Sequence, residues 1–312
     1  MSATAVVFAY HDVGVRCLSV LLEGGVDVKL VVTHEDDPKE TVFFESVRAL
    51  AQARGIEVAT PADANEAAFV ERLRSIAPDF LFSFYYRKML SPAVLATAKR
   101  GAFNMHGSLL PKYRGRAPVN WAVLKGERQT GATLHEMVAK PDAGRIVGQQ
   151  AVSIGENDLA VEVFARVTAA AETVLKRELP KLLDGTAVLT PQDLSQGSYY
   201  GGRKPDDGRI DWNQPARAIH DLVRAVAPPY PGAFTQLCGK RLALLRTRLA
   251  PGMNLGTSSA IVASERGLYA TGGDGKALEV LSLEYDGHPM PPRAFCDNIG
   301  FGTHRPDPQA AP

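Results

Sequence analysis

Residues 5–14, Ala5-Val6-Val7-Phe8-Ala9-Tyr10-His11-Asp12-Val13-Gly14, run from an unbroken apolar stretch through a polar turn into helical spacing. A short apolar run without polar alternation reads as a strand buried on both faces. The pattern then repeats. Helical spacing over residues 14–22, 44–53, 67–76 and 92–98 alternates with strand-like runs over 26–32, 56–59, 80–84 and 102–105. Strands alternating with crossover helices predict an α/β fold, a Rossmann-like, mostly parallel sheet with helices on both faces. The turn at residues 10–14 lacks the three-glycine dinucleotide fingerprint, so NAD is not implied. His11 and Asp12 there are expected to cap the first helix.

Two further strand-like stretches, 130–138 and 146–154, precede a long helical pattern over 159–183. These complete a first domain, 1–194. Residues 195–208, SQGSYYGGRKPDDG, carry turn formers and little periodicity, which reads as a linker. A helix over 216–227 is stopped by Pro228 and Pro229. Short strands over 233–237, 241–249, 259–264 and 278–283, separated by turn signals, predict a small OB-like β-barrel as a second domain, 209–302. Residues 303–312 are expected to form a flexible tail.

Hydrophobic residues make up 45% of the 312 residues and charged residues 22%, the balance of a folded globular chain. The formal net charge is +1, which gives no general attraction to nucleic acid or anionic lipid. Cys17, Cys238 and Cys296 are odd in number and far apart, as expected for reduced thiols in a reducing compartment. Cys17 and Cys238 have apolar neighbours and read as packing residues. The first residues lack a basic leader, and no run approaches the roughly 18 apolar residues of a membrane span. A cytoplasmic location is expected. The histidines show no metal-ligand spacing, and no metal is expected.

The chemistry concentrates in Phe103-Asn104-Met105-His106-Gly107-Ser108-Leu109-Leu110-Pro111-Lys112-Tyr113-Arg114-Gly115-Arg116. Asn104 and His106 are two apart at a strand end, so their side chains leave one face while Met105 points the other way. Parallel sheets take ligands in the crevice outside the strand carboxyl ends. An amide donor beside an imidazole suits acyl transfer, one group holding developing oxyanion charge and the other handling a proton.

This stretch resembles the folate-dependent formyltransferase family, whose hallmark is Asn-x-His followed by a Ser-Leu-Leu-Pro-type loop. The resemblance continues in Lys140-Pro141-Asp142-Ala143-Gly144 and in Pro229-Tyr230-Pro231-Gly232-Ala233-Phe234, and so covers nearly the whole chain. It implies a catalytic triad of Asn104, His106 and Asp142, with residues 1–194 as the catalytic domain. It implies 10-formyltetrahydrofolate as formyl donor, contacted by Lys88, Met89, Leu90 and Arg116 and by the loop Val138, Ala139, Lys140, Pro141 and Asp142. Arg203 could reach a nucleotide phosphate.

Phe8-Ala9-Tyr10-His11-Asp12, Phe82-Ser83-Phe84-Tyr85-Tyr86-Arg87 and the stretch from His106 to Pro118 look like the formyltransferase half of bifunctional polymyxin-resistance enzymes of lipid A modification. That narrower likeness implies a UDP-amino sugar, UDP-4-amino-4-deoxy-L-arabinose, as acceptor, and a monomer or weak homo-oligomer. Two rival readings are a methionyl-tRNA formyltransferase and a nucleotide-sugar binding module without turnover. An RNA enzyme needs a basic face. From Gly201 onward there are thirteen Lys and Arg against eleven Asp and Glu, and the turn His34-Glu35-Asp36-Asp37-Pro38-Lys39-Glu40 is acidic. Both features favour a small nucleotide sugar over nucleic acid.

Overall fold

The computed structural model describes residues 2–36 and 42–307. The chain divides into two compact units, one of Met1–Pro118, Gln129–Ser153 and Phe164–Gly201, the other of Val119–Arg128, Ile154–Val163 and Gly202–Pro312. The long helix over residues 160–184 contributes to both.

In chain order the elements begin β1 (Thr4–Ala9), α1 (His11–Glu23), β2 (Asp27–Val32), α2 (Val47–Ala53), β3 (Val58–Ala59), α3 (Ala67–Ile76), β4 (Phe80–Phe84), α4 (Pro92–Leu95) and β5 (Gly101–His106). They continue β6 (Arg114–Gly115), α5 (Pro118–Leu124), β7 (Gln129–Glu136), β8 (Ile146–Ser153), α6 (Ala160–Asp184) and β9 (Tyr199–Tyr200). The main sheet has the order β3-β2-β1-β4-β5-β7-β8. Its first five strands are parallel, while β7 runs antiparallel to β5 and to β8. Strand order reverses between β1 and β4, the kind of switch point where such sheets open a crevice at the strand carboxyl ends. The turn after β1, the loop after β4 and the end of β5 all lie at that edge.

The apolar runs produce this sheet because its central strands have no exposed face. Every residue of β4 is buried, and Phe8, Leu81 and Leu90 join one core cluster. Helix starts follow local caps. Ser46 accepts from the Ala49 N–H, so α2 begins at Val47 rather than at residue 44. Ser91 and Pro92 start α4, which ends after one turn instead of reaching residue 98. His11 does not cap α1. It is the first helical residue, at φ +66°, while Asp12 Oδ1 accepts from the Glu45 N–H.

The second unit carries α7 (Ala216–Val226), β10 (Ala233–Leu237), β11 (Lys240–Asn254), β12 (Ala260–Ser264), β13 (Gly267–Thr271), β14 (Lys276–Tyr285), β15 (His288–Met290), α8 (Pro292–Ile299) and β16 (Gly302–His304). Its antiparallel sheet has the order β10-β11-β14-β13-β12-β16, with β15 on β14, and curls into a half-barrel. Strand β11 is longer than the periodicity predicts, because register breaks after Leu244, Arg246 and Leu249 keep it paired while bending it. Within this unit the buried Arg224 of α7 donates to Asp221 and to the carbonyls of Val123, Gly155 and Asp158.

The expected linker contains short structure. Strand β9 pairs with β6 in the first unit, and a 3-10 turn spans Pro205–Gly208. The expected tail is ordered in its first part, since β16 pairs with β12 and Asp307 accepts from the N–H groups of Cys238 and Gly239. Residues 308–312 and residues 37–41, which include the second half of the acidic turn, lie outside the described residues. Cys238 is exposed in a tight turn rather than packed, whereas Cys17 and Cys296 are buried. Among the described residues, no helix is long and apolar enough to cross a membrane.

Candidate active site

Asn104 and His106 leave the same face of β5, and Met105 between them turns into the core at 1% exposure. The antiparallel register sets Asn104 opposite His135 and His106 opposite Thr133. Directly opposed residues share a face of the sheet, so β7 adds His135 to the pair predicted from β5. The loop after β7 brings in Asp142. Its Oδ1 lies 3.6 Å from His106 Nδ1 and 3.4 Å from His135 Nε2. Asn104 Nδ2 lies 3.0 Å from His135 Nε2, which links the four side chains in the order Asn104, His135, Asp142, His106.

Backbone groups fix the orientation of each member. His106 Nε2 donates to the Tyr113 carbonyl at 2.7 Å, leaving Nδ1 toward the carboxylate. His135 Nδ1 donates to the Glu136 carbonyl at 2.9 Å, which leaves Nε2 facing both Asn104 and Asp142. Asn104 Nδ2 keeps a second N–H for a ligand. Asp142 Oδ2 accepts from the Gly115 N–H at 2.8 Å, and Asp142 itself holds a left-handed φ of +50°. Thr133 Oγ1 donates to the Ser108 carbonyl, which anchors the start of the loop after β5.

Burial alone would raise the Asp142 carboxyl. The opposing pull of His106 and His135, the His135 hydrogen bond and the Gly115 N–H outweigh it, and the group titrates well below the usual carboxylate range. Asp142 is therefore an anion throughout the neutral range. Among the described residues no His, Cys, Asp and Glu group forms a metal cage.

The residues expected to contact a donor lie on three segments. Lys88, Met89 and Leu90 lie on the loop after β4. Met89 is 56% exposed, but Leu90 is buried in the core, where Met137 packs on the same cluster. The Lys88 ammonium donates to the Ala62 carbonyl. Val138, Ala139 and Lys140 are exposed, while Pro141 and Asp142 are half-buried. Arg116 is exposed and held by its N–H on the Tyr200 carbonyl. In the second unit, the Arg203 guanidinium stands over the Trp121 ring and donates to the Asp207 carbonyl.

Two residues beyond the predicted set also shape this edge. His34 Nε2 accepts from the Arg87 N–H at 3.0 Å, and its ring stacks on Tyr86. Burial, with Lys88 and Arg87 nearby, pushes His34 down to about 4, so it stays a neutral acceptor. Asn65 donates to the Met89 carbonyl and accepts from the Ser91 N–H, pinning the far side of the same loop. His135 could have been found by pairing β7 against β5 residue by residue. His34 and Asn65 carry no sequence signal for their roles.

Residues 9–179 match the family model described as formyl transferase, and residues 203–299 match the one described as formyl transferase, C-terminal domain. Similar folds recur among solved structures. The N-formyltransferase of Helicobacter canadensis, solved with folinic acid and dTDP-3-aminofucose, has a TM-score of 0.68 at 20% identity over 90% of this chain and 99% of that one. A sugar N-formyltransferase from a Shewanella species has a TM-score of 0.65 at 17% identity over 80% of this chain and 99% of that one. HypX from Aquifex aeolicus, in complex with tetrahydrofolic acid, has a TM-score of 0.62 at 17% identity over 95% of this chain and 46% of that longer one. The architecture is shared with these three, and the two domain matches together span most of the sequence: the chain belongs to the formyl transferase family.

Proposed function

We propose that the protein is a folate-dependent N-formyltransferase that moves the formyl group of 10-formyltetrahydrofolate to the amine of a nucleotide-linked amino sugar, with UDP-4-amino-4-deoxy-L-arabinose as the acceptor. The observation that carries this reading is the convergence of Asn104, His106 and Asp142 at the crevice edge of the sheet. Binding alone needs no such set. The neighbours' folate and dTDP-sugar complexes support the substrate classes, and the sequence motifs of the first half support the choice of UDP sugar.

In this reading the neutral amine attacks the formyl carbon, and a tetrahedral alkoxide forms. The free N–H of Asn104 holds that oxygen, a contact worth about 3–4 kcal/mol in acyl-transfer sites. The amine loses one proton and the departing folate nitrogen gains one. His106 delivers it, with the Asp142 carboxylate stabilising the charged ring. The C–N bond to the folate breaks, leaving a formamide on the sugar. The exposed Met89 and Val138 border the donor's flat ring, which an apolar slot edged by backbone groups would hold. The enzyme acts in the cytoplasm as a monomer or weak homo-oligomer.

The test is direct formyl transfer from 10-formyltetrahydrofolate to UDP-4-amino-4-deoxy-L-arabinose, to a dTDP-amino sugar and to charged initiator tRNA. Product with the UDP sugar, abolished in His106→Ala while sugar-nucleotide affinity persists, is the expected result. Product with the tRNA alone would overturn it. A wild-type protein that binds the sugar nucleotide and formylates nothing would make it a binding module.

A further inference from the structure

Tyr113 and Asp142 both hold left-handed backbone conformations, at φ +58° and +50°. Such conformations are unfavourable for residues with a β-carbon and persist where the surroundings hold them. Both residues also set the site, since the Tyr113 carbonyl receives His106 Nε2 and Asp142 faces both histidine rings. One segment, residues 190–200, supplies restraints to both.

Ser198 grips the Tyr113 loop at three points. Its Oγ accepts the Tyr113 N–H at 2.9 Å, its carbonyl accepts the Arg114 N–H at 3.0 Å, and its own N–H donates to the Pro111 carbonyl at 3.3 Å. The Tyr200 carbonyl accepts the Arg116 N–H at 3.0 Å, and the Tyr113 and Tyr200 rings stack. Between these bonds lies Gly115, whose N–H reaches Asp142. A β-carbon there would sit 2.1 Å from the Tyr200 carbonyl oxygen, so the two segments touch with no spare space.

At the other end, Gln192 Nε2 donates to the carbonyls of Asp142 and Gly144, at 3.0 and 2.6 Å. Its Oε1 is buried without a hydrogen-bond partner. Leaving such an atom unpaired is costly, so the amide is placed for what its donor side holds. Thr190 and Ile146 exchange both backbone hydrogen bonds, at 2.8 Å each, and fix where Gln192 lies.

We propose that residues 190–200 are a strap that sets the His106–Asp142 geometry, with Ser198 and Gln192 as its positioning residues. The proposal rests on the formyl-transfer reading for its kinetic consequences but not for its structural ones. Neither residue touches substrate. Each holds a strained peptide whose polar group orients a reacting side chain, and a misplacement near 1 Å in such a group costs about a hundredfold in rate.

The experiment compares wild type with Ser198→Ala, Ser198→Thr and Gln192→Met in the full chain. Steady-state kinetics are run for donor and acceptor, and the His106 ring is followed by 1H–15N NMR. In Ser198→Ala and Gln192→Met, kcat should fall about ten- to hundredfold with both KM values within about twofold. Ser198→Thr keeps the hydroxyl and should recover most of kcat. The Nε2 proton of His106 should exchange faster with solvent in Ser198→Ala than in wild type or Ser198→Thr, at an unchanged melting temperature. A rise in KM with kcat retained, failure of threonine to rescue, or an unaltered His106 ring in Ser198→Ala would overturn the strap. If wild type formylates no amine, the proposed function fails and the ring-proton comparison decides the strap by itself.

Discussion

Asn104 on β5 and His135 on β7 stand opposite one another in antiparallel register, with Asn104 Nδ2 3.0 Å from His135 Nε2. The same His135 nitrogen is 3.4 Å from Asp142 Oδ1. His135 therefore connects an amide on a strand to a carboxylate on a loop, and it is 1% exposed. Without it, the Asn104 amide loses the ring nitrogen that fixes its rotation, and Asp142 loses one of the two histidine rings that face it. Replacing His135 with Ala should lower kcat about a hundredfold, with KM for the sugar nucleotide little changed. Steady-state kinetics check this, and a variant with wild-type kcat would reduce His135 to packing.

The parallel half of the fold was legible because its signals are local. An apolar strand such as β4, buried on both faces, has to read as a continuous run. The helix over residues 67–76 and the strands over 80–84 and 233–237 match their predicted bounds. Elements set by long-range pairing were not legible. Strand β13 was missed because its burial depends on neighbours β12 and β14, and β16 because it pairs with a strand forty residues earlier. The site divides in the same way. Asn104 and His106 follow from alternation along one strand, whereas His135, Gln192 and Ser198 act across strand pairs and loops, where no short spacing points to them.

Gly144 tests how tightly the Asp142 loop is built. Its missing side chain faces the backbone, since an added β-carbon would lie 2.0 Å from the Glu136 carbonyl oxygen and 2.8 Å from its carbonyl carbon. Neither atom belongs to a flexible side-chain end, so the loop itself has to move. Gly144→Ala should destabilise the protein by about 2–3 kcal/mol. Chemical denaturation measures the loss, and an unchanged midpoint would show that the loop shifts without cost.

Arg224 and Asp221 form a different kind of buried contact, remote from the proposed chemistry in sequence and held within the second unit. Their side chains are 2% and 7% exposed, with Nε to Oδ1 at 2.8 Å. Removing one partner leaves the other charge in a poorly solvated place, which costs about 3–5 kcal/mol. Asp221→Ala should lose that much. Asp221→Ala combined with Arg224→Met should lose less than the sum of the two single changes, because the second removes the stranded charge. A double-mutant cycle by urea unfolding measures the coupling, and strict additivity would show that the two charges do not depend on each other.

Asp142 makes the prediction that joins stability to the site. Its carboxyl is held well below the ordinary range by His106, His135 and the Gly115 N–H, against the opposing effect of burial. A carboxyl with a native pKa below its unfolded value of about 4 stabilises the fold at every pH above that value. The contribution is lost as the pH falls through the native value. Asp142→Asn removes the titration and the charge together. Wild type should therefore melt above Asp142→Asn at neutral pH, by a margin that is constant down to about pH 5 and narrows below about pH 4. Thermal melts of both proteins across that window read the difference. A margin that stays constant into the acid range would mean that the carboxylate gains nothing from its histidines, and it would remove the electrostatic basis for Asp142 as the partner of His106.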